Sequence, residues 1–139
     1  MPIIVSTNTN FDERKDGIRN LVMMGLDSLD GLTDDAITND VYLGDANRYF
    51  ARKVPNYDSL NENDRADLEV AVSKRCAANI LKSTARRVYG DADRIAERAI
   101  YLDILTTIET YLQDSEELVA PFETTPAESS AYFEVINLE

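Results

Sequence analysis

The side chains that most often carry chemistry are scarce in this chain. Histidine is absent and cysteine occurs once, at Cys76. Without an imidazole there is no Ser–His or Cys–His nucleophile and no His-rich metal site. A single thiol forms neither an internal disulfide nor a metal cluster. Cys76 stands beside Ala77 and near Val72 and Ile80, where the expected role is that of a small buried hydrophobe. Carboxylates remain, with 26 Asp and Glu in 139 residues. Paired carboxylates cleave glycosidic bonds when two converge on one site. Acids spaced along solvated helices are the ordinary arrangement, however, and no helical wheel here brings such a pair together. The phosphate-cradling patterns GxGxxG and GxxxxGK[ST] are missing, and TNTNFDE and TNDVYLGD lack the spacing and terminal Glu of a calcium loop. Tyr42, Tyr49, Tyr57, Tyr89, Tyr101, Tyr111 and Tyr132 are scattered, which suits core edges or interfaces rather than a base-stacking platform. These residues predict no enzyme, no cofactor and no metal.

The elements that would position them read as helices. Asn10, followed by Asp12 and Glu13, suits a helix start, and Phe11, Ile18, Leu21, Val22, Gly25 and Leu29 fall near one face, with Gly31 ending the run. Before it, Ile3–Val5 is a β-branched run that either pairs as an edge strand or frays. Thr33 with Asp34 and Asp35 opens a second helix, which Gly44 is expected to interrupt and Val54-Pro55 to end. After the Asn/Asp-rich loop 55–63, Asn63 caps a long helix whose Ala66, Val70, Ala77, Leu81, Ala85 and Val88 share a side, closed by Gly90. Arg75, Lys82 and Arg86 gather away from that apolar centre. Ala71, Ala77, Ala78 and Ala85 permit a close neighbour.

The last helix, from about Ala92 to Leu118, carries two apolar stripes. Ile95, Ala99 and Leu102 form one, and Tyr101, Ile104, Leu105, Ile108, Tyr111 and Leu112 form the other, roughly opposite. So few elements are available to cover both that the second stripe is expected at a boundary between copies. Residues 119–130 carry two prolines and read as an extended linker. The terminal AYFEVINLE alternates with period two, Phe133 and Val135 one way and Tyr132, Ile136 and Leu138 mostly the other, as in a strand. It either folds back or adds to another chain's sheet edge. The expected architecture is mostly α, a small bundle of about four helices over residues 11–118. An extended segment 1–10 and a C-terminal arm 119–139 with a β-strand flank it.

Charge is unevenly distributed. Hydrophobic residues make up 44% and charged residues 29%, ordinary for a globular domain, and the formal net charge is −12. Residues 91–139 hold twelve acids and two bases, a net of −10, and no base follows Arg98. The middle of the chain is locally basic, with Lys74, Arg75, Lys82, Arg86, Arg87, Arg94 and Arg98 close together. Both regions are read either as solvated helix faces or as the two sides of a head-to-tail contact between copies. So acidic an average field does not hold nucleic acid. No apolar run approaches the roughly 20 residues needed to span a bilayer, and MPIIVSTNTN lacks a basic segment, so neither a membrane anchor nor a signal peptide is expected.

The order of elements, the stretch DVYLGDANRYF at 40–50, and the alanine-rich RADLEVAVSKRCAANILKS followed by a second long helix resemble the head–tail connector, or adaptor, proteins of tailed bacteriophages. The likeness covers roughly residues 30–118, and residues 1–40 show no clear family pattern. It implies a non-enzymatic subunit of the virion neck, made in the host cytoplasm, in a ring of twelve copies between the portal protein and a stopper, terminator or tail component. DNA would pass through the channel without specific binding, eased by a negative lumen. Under this resemblance Arg75, Lys82, Arg86, Tyr101, Ile104, Leu105, Ile108, Tyr111 and Leu112 would lie between subunits. Tyr132, Phe133, Val135, Ile136 and Leu138 would form a portal-binding arm. The alternative from another class is an acidic inhibitor that mimics DNA and fills a basic protein groove.

Overall fold

Small side chains on one helix decide how the domain is built. Ala71, Ala77, Ala78 and Ala85 are all buried on the long helix Glu62–Tyr89, so its neighbours approach closely on several sides. The computed structural model describes residues 3–25, 32–89 and 95–122, and their side chains except those of 23–25, 86–89 and 95–97. In chain order the elements are α1 (Thr9–Gly25), the single turn α2 (Asp34–Ile37), a π-helical turn (Asp40–Gly44), α3 (Asp45–Lys53), a 3₁₀ turn (Tyr57–Ser59), α4 (Glu62–Tyr89) and α5 (Ile95–Val119). The chain is mostly α-helical. Four helices reach nine residues or more among the described residues, and no strand occurs among them. The predicted C-terminal strand lies outside the described residues.

The central helix is α4, with α5 packed along its length and α1, α3 and the π-helical turn against its other sides. The core joins Phe11, Ile18 and Val22 of α1, Ile37, Leu43, Phe50 and Val54 of the middle segment, and Leu68, Val72, Cys76 and Leu81 of α4. Ile104, Ile108, Tyr111 and Val119 complete it from α5. The Tyr111 hydroxyl donates to the Leu21 carbonyl at 2.8 Å, tying α5 to α1.

Helix starts differ from the expectation by one or two residues. The Asn8 carbonyl accepts the amides of Phe11 and Asp12, so α1 begins at Thr9. The Asn10 amide turns back, donating to the Ile4 carbonyl at 2.5 Å and accepting from the Ser6 amide at 3.0 Å. Helix α4 starts from Asn61, whose side chain accepts the Asp64 amide at 2.8 Å and donates to its carboxylate at 3.2 Å. That reciprocal pair displaces Asn63 as the cap. Thr33 caps α2 as expected, accepting from the Ala36 amide at 3.2 Å.

Other boundaries follow tertiary contacts. Ile4 and Val5 are buried without pairing as a strand, so segment 3–8 is a docked strap rather than a free arm. Helix α5 continues through Val119, which is buried, and a turn brings Phe122 against the core, so the linker cannot begin at 119. Gly44 does not interrupt the middle segment. The π-helical turn runs straight into α3, and the bare Gly44 Cα admits the Asp40–Arg48 ion pair, since a Cβ would stand 2.6 Å from Asp40 Oδ1.

Gly17 is the contrary case. It lies inside α1 with nothing within 4 Å of where a Cβ would be. Gly17→Ala is therefore expected to stabilise the fold by about 0.8 kcal/mol through helix propensity alone, read as a rise in the urea midpoint with unchanged slope.

Candidate functional site

A charged seam crosses three helices. Asp45, Tyr49 and Lys53, four residues apart on α3, face Arg75 and Asn79 of α4 and Glu116 of α5. The Tyr49 hydroxyl and the Lys53 ammonium both donate to the Glu116 carboxylate. The Arg75 guanidinium stacks 3.7 Å from the Tyr49 ring centroid, and its Nε lies 3.5 Å from Asp45 Oδ2. Asn79 Nδ2 donates to the same Asp45 oxygen at 3.0 Å and to the Tyr42 carbonyl at 3.1 Å.

The titrations of this seam move away from neutrality. Burial and the adjacent Glu116 push the Tyr49 phenol up. Burial alone would lower Lys53, but its bonds to Glu116 and Tyr49 outweigh that and hold it above its ordinary value. Burial alone would raise Glu116, yet the same bonds hold it below the usual carboxylate range. Burial also pushes the Cys76 thiol up to about 12. A general acid or base works best with a pKa near the operating pH. These groups are arranged to stay in one charge state, as in a structural clasp.

The clasp has a pH signature. A depressed Glu116 contributes stability that is present above its unfolded pKa and is lost as pH falls through the folded value. Glu116→Gln is expected to cost less than about 1 kcal/mol at neutral pH, because the pair is partly solvated. Its melting temperature should fall less steeply than that of the parent on acidification from about pH 5 to about pH 3. Thermal melts across that range check this.

A second cluster anchors the N-terminal strap. Glu69 of α4 is buried, accepting from Arg14 Nε at 3.2 Å and Arg65 Nε at 3.1 Å. Arg65 also donates to the Ile3, Ile4 and Tyr57 carbonyls, each at 3.2 Å, and sits over the Tyr57 ring. Nothing in the sequence singled out Glu69. Its only local signal was Arg65 four residues earlier, and its other charged partner lies 55 residues away.

Surface features are few. A groove of about 430 Å³ between the π-helical turn and α4 is lined by Val41, Tyr42, Asn79, Lys82 and Ser83. A smaller one, about 270 Å³, runs between α1 and α4 past Gly17, Leu21 and Val70. Among the described residues no group of three or more potential metal ligands occurs, and no helix is long and apolar enough to cross a membrane.

The structure places the expected interface residues differently from the sequence reading. Ile104, Ile108 and Tyr111 are buried in the chain's own core, and Tyr101, Leu105 and Leu112 pack partly buried against it. This stripe is the inward side of α5, because α4 covers it. The outward side is the other stripe, where Leu102 is 60% exposed beside exposed Ala99. Arg75 is committed within the chain to Asp45 and Tyr49. Lys82 is exposed. The side chain of Arg86 lies outside the described residues, as do Tyr132, Phe133, Val135, Ile136 and Leu138.

Comparison of the chain with protein-family models, with curated proteins and with solved structures finds no match.

Proposed function

We propose that this chain is a structural subunit of a bacteriophage neck, a head–tail connector that assembles as a ring between the portal and a stopper, terminator or tail protein. The observation that carries the reading is the outward face of α5, where Leu102 stays exposed beside exposed Ala99 on a helix whose opposite side already fills the core. A helix apolar on its solvent side suits assembly. The resemblance of residues 30–118 to connector proteins supplies the class of assembly. Its two motifs fall on the middle segment and on α4, the parts that organise the bundle. The C-terminal residues 131–139 would be the portal-binding arm.

The rival reading, an acidic DNA mimic, draws less support. Asp114 pairs with Lys74 at 3.2 Å and Glu116 with Lys53, so two acids of the α5 run are neutralised within the chain. A mimic needs its negative charges facing outward in a row.

The test is negative-stain imaging of the purified chain mixed with the portal protein encoded beside it. Rings of twelve copies stacked on the portal are expected. A chain that stays apart from every portal yet is captured, salt-sensitively, by a basic nuclease or repressor would replace this reading with the inhibitor. Protease sensitivity of residues 119–139 inside intact particles would remove the arm from it.

A further inference from the structure

The hydroxyls on the outer face of α5 are turned inward. Thr106 Oγ1 donates to the Leu102 carbonyl and Thr110 Oγ1 to the Thr106 carbonyl, each at 3.0 Å. With the hydroxyls spent on the helix backbone, the threonines present their methyl groups. Ala99, Leu102, Thr106 and Thr110 then form one apolar stripe at i, i+3, i+7 and i+11, about 17 Å long at 1.5 Å per residue. The stripe ends where Gln113 bonds Glu117 at 3.2 Å. Exposed Asp103 and Glu109 flank it, and among the described residues neither has a basic partner.

The complement lies elsewhere on the same chain. In the groove between the π-helical turn and α4, Val41 is an apolar knob 62% exposed, and Lys82 is exposed with no acidic partner among the described residues. The acids near that groove are already satisfied: Asp40 pairs with Arg48 at 2.6 Å and Asp45 with Arg75 and Asn79. One surface is thus an apolar stripe flanked by acids, the other a mixed groove with an apolar knob and a base, and among the described residues these charges have no opposite partner.

We propose that the outer face of α5 of one copy docks on the Val41–Lys82 groove of the next, a head-to-tail contact between identical chains. The groove offers the base Lys82 to the acids Asp103 and Glu109, and opposite charges across an interface fix its register. A heterologous contact joins different patches, and it generates closed rings or open filaments according to the rotation it imposes. The inference rests on the assembly reading above and names the surfaces it would use, moving them away from Tyr101–Leu112.

Single-cysteine substitutions at exposed positions test it in the full chain. The native Cys76 is buried and stays in place. Under mild oxidation, mixed Val41→Cys and Leu102→Cys proteins are expected to form the mixed disulfide at least about tenfold faster than either forms a homodimer. Lys82→Glu should slow that reaction about tenfold, and adding Asp103→Lys on the partner should restore it. About 1 M salt, where the Debye length is about 3 Å, should slow the parent pair. Dominant Leu102→Cys homodimers would overturn the proposal in favour of a symmetric α5 contact. A chain that sediments as a monomer and forms no cross-link at high concentration would overturn it outright. The neck reading fails separately, if cross-linked assemblies form yet do not dock on the portal.

Discussion

Asn47→Leu is expected to destabilise the protein by about 3 kcal/mol, although the new side chain has a similar size and the site is buried. The Asn47 amide binds both backbone groups of Val5, accepting from its N–H at 2.9 Å and donating to its carbonyl at 2.5 Å. One side chain on α3 thus substitutes for the strand partner that the β-branched strap lacks. Leucine fills the space but leaves a buried donor and a buried acceptor unpaired, at about 1–3 kcal/mol each. Asn47→Asp separates this from a packing effect. Its carboxylate would face the Val5 carbonyl at neutral pH, whereas its protonated form can donate to it. The folded-state pKa of that aspartate would therefore be raised, and its contribution is present at low pH and lost as pH rises through the folded value. Urea midpoints should show the Asp variant recovering on acidification and the Leu variant not doing so.

The second large effect is at Glu69. Glu69→Ala removes the buried carboxylate that Arg14 and Arg65 share, leaving Arg65 only Asp58 at 4.0 Å, and breaking such a buried pair costs about 3 kcal/mol. The strap should loosen with it, since Arg65 holds the Ile3 and Ile4 carbonyls. Removing Arg14 as well takes away the cation that Glu69→Ala leaves with no acidic partner among the described residues. The double variant Glu69→Ala, Arg14→Met is therefore expected to be more stable than Glu69→Ala alone, and a double-mutant cycle in urea gives the coupling. Additive losses would mean that Glu69 acts through packing and not as the shared anion.

Both effects sit on residues whose sequence neighbourhood says little of their role. Asn47 appears in the sequence as one more polar residue on a helix already charged at Asp45, Arg48, Arg52 and Lys53, and Glu69 as one acid among 26. The partners that tie the strap and α1 to them are 42 and 55 residues away, so that role exists only once the chain has folded. The same distance hid the charged seam. Asp45, Tyr49 and Lys53 show their common face in the spacing, but Glu116, the group that gathers two of them, arrives from the other end of the chain. The register of Gly44 failed for a related reason. A mid-segment glycine reads as a breaker, whereas here it is the place where the Asp40–Arg48 pair needs room.

What the sequence alone determined is what local chemistry dictates. Helical periodicity, the Thr33 cap, the stop at Val54-Pro55 and the alanines that let α4 be approached closely are all properties of neighbouring residues. The absence of histidine and the lone, buried Cys76 belong to the same class. Tertiary structure alone decided which of the two α5 stripes faces inward. Each stripe is apolar and correctly spaced, so periodicity weighs them alike, and only the position of α4 against Ile104, Ile108 and Tyr111 removes one of them from water and leaves Leu102 outside.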